Sequence, residues 1–324
     1  MNLSLFGYAN QTPVYKHTIK SENIQVDVID LGCIITDVRV RNKSGNFTSV
    51  VLGYDTLEKY LNDQDYYGAI VGRFANRIEN GRFTLNGKTY QVTQNEGNHA
   101  LHGGVNGFNK RIWAVDNQTE NSITFAYLSA DGEEGFPANL SVKVTYKVTD
   151  CKLCIEYFAE SDADTVISLT NHSYFNVDGV ENTIDNLKLF IDANYVTATD
   201  QQLIPHGEIL KVSNTCFDFN NARHLLKGKP DGKTLPERGC FDDNFVLNES
   251  GFRKVATLFG SKGLNMDVYT DQPGMQVYSG NVNAVALETQ NFPNAVNCNN
   301  FPSAILKKGE KYNTKTEYKF YLDK

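Results

Sequence analysis

Five segments of this chain gather polar, titratable side chains among glycines and apolar residues. The first, Gly72-Arg-Phe-Ala-Asn-Arg-Ile78, sets two arginines and an asparagine in an apolar context. An arginine near a buried site must find acceptors. Sugar hydroxyls would serve, and so would the carbonyls or carboxylates of a structural loop. The second is Asn98-His-Ala-Leu-His-Gly-Gly104. Its paired glycines allow a sharp turn or close backbone approach. No G-x-x-x-x-G-K-[ST] pattern is present, so it is not a phosphate loop, and His99 and His102 lack H-E-x-x-H spacing. Either histidine could equally be a satisfied structural group. The third, Thr170-Asn-His-Ser-Tyr-Phe-Asn176, carries His172, and the fourth is Gly239-Cys-Phe-Asp-Asp-Asn-Phe245. The fifth, AVALETQNFPNAVN from Ala284 to Asn297, holds Glu288 at the end of an apolar run. Burial and neighbouring charges can tune such a carboxyl for proton transfer. From residue chemistry alone, His172 and Glu288 are either an acid–base pair or two hydrogen-bonded structural groups.

The elements that must position these groups read as strands. Ser122 to Ala130 and Leu140 to Val148 alternate apolar and polar residues, as half-buried strands do. Leu153 to Ala159 continues the pattern after a turn near Thr149-Asp150, and Thr165 to Leu169 and Thr316 to Leu322 are also strand-like. Arg82 to Val92 reads as a hairpin around Asn86-Gly87, a pair suited to two positive φ angles. Helical signals are few. Thr56 to Leu61 suggests one short helix with Thr56 as N-cap, and Asn221 to Leu226 suggests another. Gly228 to Gly239 reads as a long surface loop. Without long amphipathic segments between the strands, a doubly wound α/β fold is disfavoured. The expected architecture is all-β: one domain, residues 1–324, of antiparallel sheets packed face to face.

Composition narrows the function. The chain has 324 residues, 40% of them hydrophobic, with 19 Phe and 17 Tyr. Such a chain can bury a sizeable core. Its net charge is −7, with 31 Lys plus Arg against 38 Asp plus Glu. With no long basic run, nucleic acid is not an expected partner. No window is apolar enough for a transmembrane helix, and Met1 to Tyr15 lacks the build of a secretion signal. A cytoplasmic protein with reduced thiols is expected. Cys151-Lys-Leu-Cys154 matches C-x-x-C, but no second pair completes a zinc ribbon and the motif opens a strand. The sequons at Asn10 and Asn139 carry no meaning in such a compartment.

The blocks GRFANRI with its G-x-F-x-L-x-G hairpin, LHGG, NHSYFN, PGMQVYSGN and ETQNFPNAVN occur in this order. In them the chain resembles the aldose 1-epimerase (galactose mutarotase) family, from about Leu31 to Leu322. The resemblance implies a large β-sandwich of the galactose mutarotase type. It implies that His172 is the general acid toward the ring oxygen and Glu288 the general base toward the anomeric hydroxyl. It also implies that Arg77, Asn76, His102, Asp242 and Gln276 bind the sugar. The family often has His after the aspartate, where this chain has Asp242-Asp243, so the second aspartate is an alternative binder. Phe245 or Tyr174 could pack on the sugar's apolar face.

Anomer exchange opens a hemiacetal, so one oxygen must lose a proton while another gains one. A carboxylate and an imidazolium can do both in concert, and the histidine's ordinary pKa lies near neutrality. From those roles, the acid limb of a bell-shaped pH profile would belong to the base and the alkaline limb to the acid. The reaction needs no metal and no nicotinamide, and no G-x-G-x-x-G follows a strand. The expected partner is a free sugar such as galactose or glucose, bound by a monomer or homodimer away from membranes. Two rival functions stay open. A glycoside hydrolase would use two carboxylates, for which Asp242 and Glu288 are available. A non-catalytic sugar-binding module would keep Arg77 and Asp242 without needing the acid–base pair.

Overall fold

The computed structural model of the chain describes residues 2–225, 239–281 and 283–323. Three large antiparallel sheets carry most of its regular structure. Among the described residues, a nine-stranded sheet runs Ala114–Gln118, Ser122–Ser129, Leu140–Thr149, Lys152–Ser161, Lys311–Leu322, Leu264–Thr270, Arg253–Phe259, Lys188–Ile191 and Arg223–His224. A six-stranded sheet runs Tyr174–Phe175, Val285–Gln290, Gly274–Tyr278, Asp242–Leu247, Ala193–Thr199 and Pro205–Lys211. A five-stranded meander follows chain order from Asn2–Ala9 to Phe47–Ser49.

Alternation decides which side chains go inward. In Leu140–Thr149 the residues Leu140, Val142, Val144, Tyr146 and Val148 are buried, and the residues between them are not. One continuous core joins the three sheets: Val26 and Val38 from the meander, Val142 and Ile155 from the nine-stranded sheet, Val277 and Leu287 from the six-stranded one. Each such side chain contributes roughly 1.5–3 kcal/mol on burial. The expected β-sandwich is therefore the observed one.

The expected hairpin forms between Arg82–Leu85 and Lys88–Gln91, with Asn86 and Gly87 at φ 51° and 76°. The short helix spans Leu57–Leu61, but the Thr56 side chain makes no capping bond. The second expected helix does not form. Residues 221–225 are not helical, and Arg223–His224 instead pairs with Lys188 and Leu189 at the end of the nine-stranded sheet. Sheet pairing overrides a weak local helical tendency there. Leu226, and residues 228–238 of the expected loop, lie outside the described residues. Of Thr165 to Leu169 only Thr165–Val166 is strand, paired with Ile305–Leu306. Cys151 and Cys154 are free thiols, the latter within Lys152–Ser161.

A close backbone crossing links two of the polar segments. Gly103 has φ 89°, and a Cβ there would lie 1.9 Å from the carbonyl oxygen of Gly72. Only glycine fits both the conformation and the space. Gly103→Ala is therefore expected to cost about 2 kcal/mol or more of stability, read as a lowered midpoint in thermal or urea unfolding. A melt equal to the parent's would show that the crossing relaxes freely.

Candidate active site

The site begins with the register of one strand. Val285–Gln290 is buried along its whole length, so both its faces are covered. Val285 and Leu287 point into the main core. With a period of two, Ala286, Glu288 and Gln290 must take the opposite face. Gln276 pairs with Glu288, Asn244 with Gln276, and Asp242 with Tyr278. Glu288, Gln276, Tyr278 and Asp242 thus share one face of the six-stranded sheet. On the other side of the strand, Tyr174 pairs with Ala286. Continuing that antiparallel register by two residues brings His172 level with Glu288.

His172 is fixed from its own backbone. Its N–H donates to Ala69 O at 2.9 Å, and its carbonyl accepts from Gly68 N at 3.0 Å. Asn171 braces the turn, accepting from Ser173 N at 3.1 Å and donating to Gly68 O at 2.9 Å. His172 Nε2 and Glu288 Oε1 stand 3.4 Å apart. Both residues are buried, at 5% and 1% exposure. The imidazole is boxed by Tyr174, His102 and Tyr66, with ring centroids 5.0, 5.2 and 5.9 Å away.

These groups line a cavity of about 210 Å³ together with Gln64, Asp65, Asn76, Arg77, Leu101, His102, Asp242 and Tyr278. Arg77 Nη1 lies 3.6 Å from Asp242 Oδ2. Gln276 donates to Asp242 Oδ1 at 2.7 Å. The Asn76 side chain accepts the Arg77 backbone N–H at 2.8 Å, and Asn294 N donates to Arg77 O at 2.8 Å. The ETQNFPNAVN block thereby anchors the arginine's backbone as well as supplying Glu288.

Burial governs the charges. It pushes His172 down from the usual histidine value, against its own backbone hydrogen bond and the negative charge of Asp242. It pushes Glu288 well above the usual carboxyl value, with Asp242 adding to the rise and Arg77 opposing it. A neutral imidazole beside a protonated carboxyl, and the ion pair of the two, differ by one proton moved across 3.4 Å. With burial driving both groups toward their neutral forms, the pair shares one proton. Burial works against the charge of Arg77, but its bonds to Glu96 and the charges of Asp242 and Glu96 outweigh it and hold it above the ordinary value.

His102 plays a different part. Its Nδ1 accepts the backbone N–H of Asn76 at 3.1 Å, so in the neutral ring the proton sits on Nε2. Burial, then the charges of His172 and Arg77, push its pKa well below the usual value. His102 is thus a fixed neutral donor. His102, His172 and Glu288 each offer a ligand atom within 4.8 Å of the others, a grouping the sequence did not reveal. The Nε2–H of His102 leaves that nitrogen no lone pair for a metal, and its Nδ1 lone pair is already engaged.

The two arginines of the first segment separate cleanly. Arg73 is the structural one, donating to the carbonyls of Pro137, Ala138 and Ser129 and to Ser129 Oγ; only Arg77 reaches the cavity. His99 is also structural, bonded to Asn80 N and the Gln202 side chain. Asp242 lines the cavity, whereas Asp243 pairs with Val277 on the opposite face. Gln276 stands behind Asp242 rather than among the lining residues. Tyr174 lines the cavity, but Phe245 does not: it alternates inward, buried against Phe217 and Phe219. Sequence reasoning missed Gln64, Asp65, Tyr66 and Tyr278. Tyr278, two residues from Gln276 on one strand, was within reach of the period-two rule. The loop residues carried no such signal.

A β-sandwich that sets a buried imidazole 3.4 Å from a buried carboxyl, beside an arginine and an aspartate, has the groups needed to exchange protons with a small polar molecule. The description of the aldose 1-epimerase family matches residues 15–319. Galactose mutarotase of Sus scrofa is 40% identical over 329 residues, covering 95% of this chain and 94% of that protein. Aldose 1-epimerase of Escherichia coli (strain K12) is 34% identical over 320 residues, 92% of each chain. The crystal structure of an aldose epimerase homologue from C. elegans superposes with a TM-score of 0.88 at 28% identity, covering 95% of this chain and 100% of that one. The galactose 1-epimerase of Lactobacillus acidophilus NCFM, at 22% identity and TM-score 0.86, shares the fold over 100% of this chain and 99% of its own. The chain belongs to the aldose 1-epimerase family and is an isomerase. No helix among the described residues is long and apolar enough to cross a membrane.

The His102 geometry has a direct spectroscopic readout. Nitrogen-15 NMR of the imidazoles is expected to show His102 unprotonated at Nδ1, protonated at Nε2, and uncharged well below the ordinary histidine pKa. A ring protonated at Nδ1, or one that titrates near 6.5, would contradict the bond to Asn76.

Proposed function

We propose that this isomerase interconverts the α and β anomers of free aldoses such as D-galactose and D-glucose. The observation that carries the reading is the His172–Glu288 pair, 3.4 Å apart at the cavity wall. Glu288 as carboxylate takes the proton of the anomeric hydroxyl while His172 as imidazolium protonates the ring oxygen. The C1–ring-oxygen bond breaks, and an aldehyde forms. After rotation about C1–C2 the sugar closes on the other carbonyl face, with the two groups in exchanged roles. The state left after opening, carboxylic acid beside neutral imidazole, is the one that burial favours. His102 Nε2–H, Arg77, Asn76 and Asp242 hold sugar oxygens, and Gln276 holds Asp242 in place. Each proton-transfer partner supplies about 10²–10⁴-fold in rate.

A free sugar fits better than a phosphorylated one. Asp65, Asp242 and Glu288 are carboxyl groups of the lining, and Arg77 is the one lysine or arginine among the lining residues described. That arginine is already matched by Glu96 and Asp242. A phosphate group would meet acidic neighbours and no unpaired arginine. The glycosidase reading gains no support from Asp242, which is engaged by Gln276. The full reading is of one domain over residues 1–324, acting as a monomer or homodimer in the cytoplasm. It needs no cofactor or metal, and no nucleic acid or membrane partner.

Polarimetry of freshly dissolved α-D-galactose is the central test. The protein is expected to speed the approach to anomeric equilibrium without moving the endpoint, and to do so in EDTA. Glu288→Gln and His172→Asn are each expected to lower kcat by about 10²-fold or more, with a smaller change in KM. Both keep hydrogen-bonding groups but cannot exchange the proton. A folded Glu288→Gln protein with parental kcat would remove the base from the mechanism.

The pH profile carries the sign of the two shifts. The active pair holds one proton. Acid adds a second to His172, whose pKa is lowered to about 4. Alkali removes the one on Glu288, whose pKa is raised. The kcat/KM profile is expected to be a broad bell, its acid limb from His172 and its alkaline limb from Glu288. This reverses the assignment that the roles alone suggest. An acid limb near the ordinary histidine value of about 6.5 would contradict it.

A further inference from the structure

We propose that Glu96, outside the cavity, is a positioning residue that sets the orientation of Arg77 toward the substrate. The proposal rests on the sugar-isomerase reading and extends it to a residue that none of the five chemical segments contained. Glu96 accepts Arg77 Nε–H on Oε2 at 2.6 Å and Nη2–H on Oε1 at 2.8 Å. A two-point bond of this kind fixes the plane of a guanidinium, which a single contact leaves free to turn. It also consumes one edge of the fork. Nη1 is the nitrogen left over, and it is the one facing Asp242 Oδ2 at 3.6 Å.

The backbone that carries Glu96 is itself held in place. Glu96 N donates to His99 O at 3.1 Å and His99 N donates to Glu96 O at 2.9 Å. The neighbouring Asn95 side chain bonds both backbone groups of Leu101, at 2.7 and 3.0 Å. Leu101 lines the cavity and precedes His102. One short loop therefore delivers His102 to the site and Glu96 to the arginine behind it. The Glu96 side chain is 37% exposed and is not among the lining residues, so its reach into the cavity is through Arg77.

Charge explains why Glu96 matters to binding. Arg77 lies between two carboxylates, and the separation of 3.6 Å from Asp242 is longer than a charge-assisted hydrogen bond. Glu96 holds the guanidinium back from Asp242. Without that pull, Arg77 closes onto Asp242, and the two sugar-facing groups satisfy each other instead of a ligand. Glu288 and His172 make no hydrogen bond to Arg77 or Glu96, so the contacts of the proton-transfer pair are kept.

The test uses the full chain with Glu96→Ala and Glu96→Gln, assayed by polarimetry with D-galactose and by NMR of Arg77 Nε–H. Glu96→Ala is expected to raise KM about tenfold, the loss of roughly one charge-assisted hydrogen bond. Its kcat stays within about threefold. Glu96→Gln, which keeps one acceptor, is expected to fall between it and the parent. The Arg77 Nε–H is expected to resist solvent exchange in the parent and to lose that protection in Glu96→Ala. A folded Glu96→Ala protein with parental KM, or with a protected Arg77 Nε–H, would overturn the proposal. A parent that leaves mutarotation at the buffer rate would sink the sugar-isomerase reading instead, and the exchange measurement would still decide the role of Glu96.

Discussion

The strand Val285–Gln290 is buried on both faces, and the site depends on that constraint. Its odd-numbered residues must satisfy the main core, where Val285 and Leu287 pack. Its even-numbered residues are then forced onto the opposite face, Glu288 among them. A slip of one residue would put the carboxyl in the core and a leucine in the cavity. Hydrophobic packing on one side thus fixes the chemistry on the other. The neighbouring strands inherit the same register, so Asp242 and Tyr278 face the cavity while Asp243 and Val277 face away.

Burial then converts geometry into reactivity. An exposed histidine and glutamate would form an ordinary ion pair over a wide pH range. Within the box of Tyr66, His102 and Tyr174, both groups are driven toward their neutral forms. Burial moves the balance from the ion pair toward the neutral pair, two states that differ by one proton moved between the same two groups. His102 shows the opposite solution in the same box. A backbone N–H occupies its Nδ1 and fixes one tautomer, which suits a donor that should not exchange its proton.

The polar blocks differ in what they contribute. Arg73, in the same segment as Arg77, spends its guanidinium on the carbonyls around residues 129–138. Gly103 gives the close crossing between the first two blocks, and Asn294 ties the last block to Arg77. Much of what makes these segments recognisable is therefore backbone accommodation that brings loops distant in the chain into one frame. The reacting groups are few, and the groups that hold them are many.

The sequence by itself determined the all-β class, because alternating burial has a period that strands alone satisfy, as in Leu140–Thr149. It determined the Asn86-Gly87 hairpin through the positive φ angles those residues accept. The block order was enough to nominate His172, Glu288, Arg77, Asn76, His102, Asp242 and Gln276. It could not settle between Asp242 and Asp243, because that choice turns on which face of the sheet each residue meets. It misjudged residues 221–225, where pairing with Lys188 and Leu189 outweighed local preference, and it offered Phe245 to the sugar when the strand's alternation sends that ring into the core. Tyr66 and Glu96 were left to the tertiary structure. Their roles arise from contacts between segments far apart in the chain, and a one-dimensional pattern encodes spacing along a strand but not the distance between two loops.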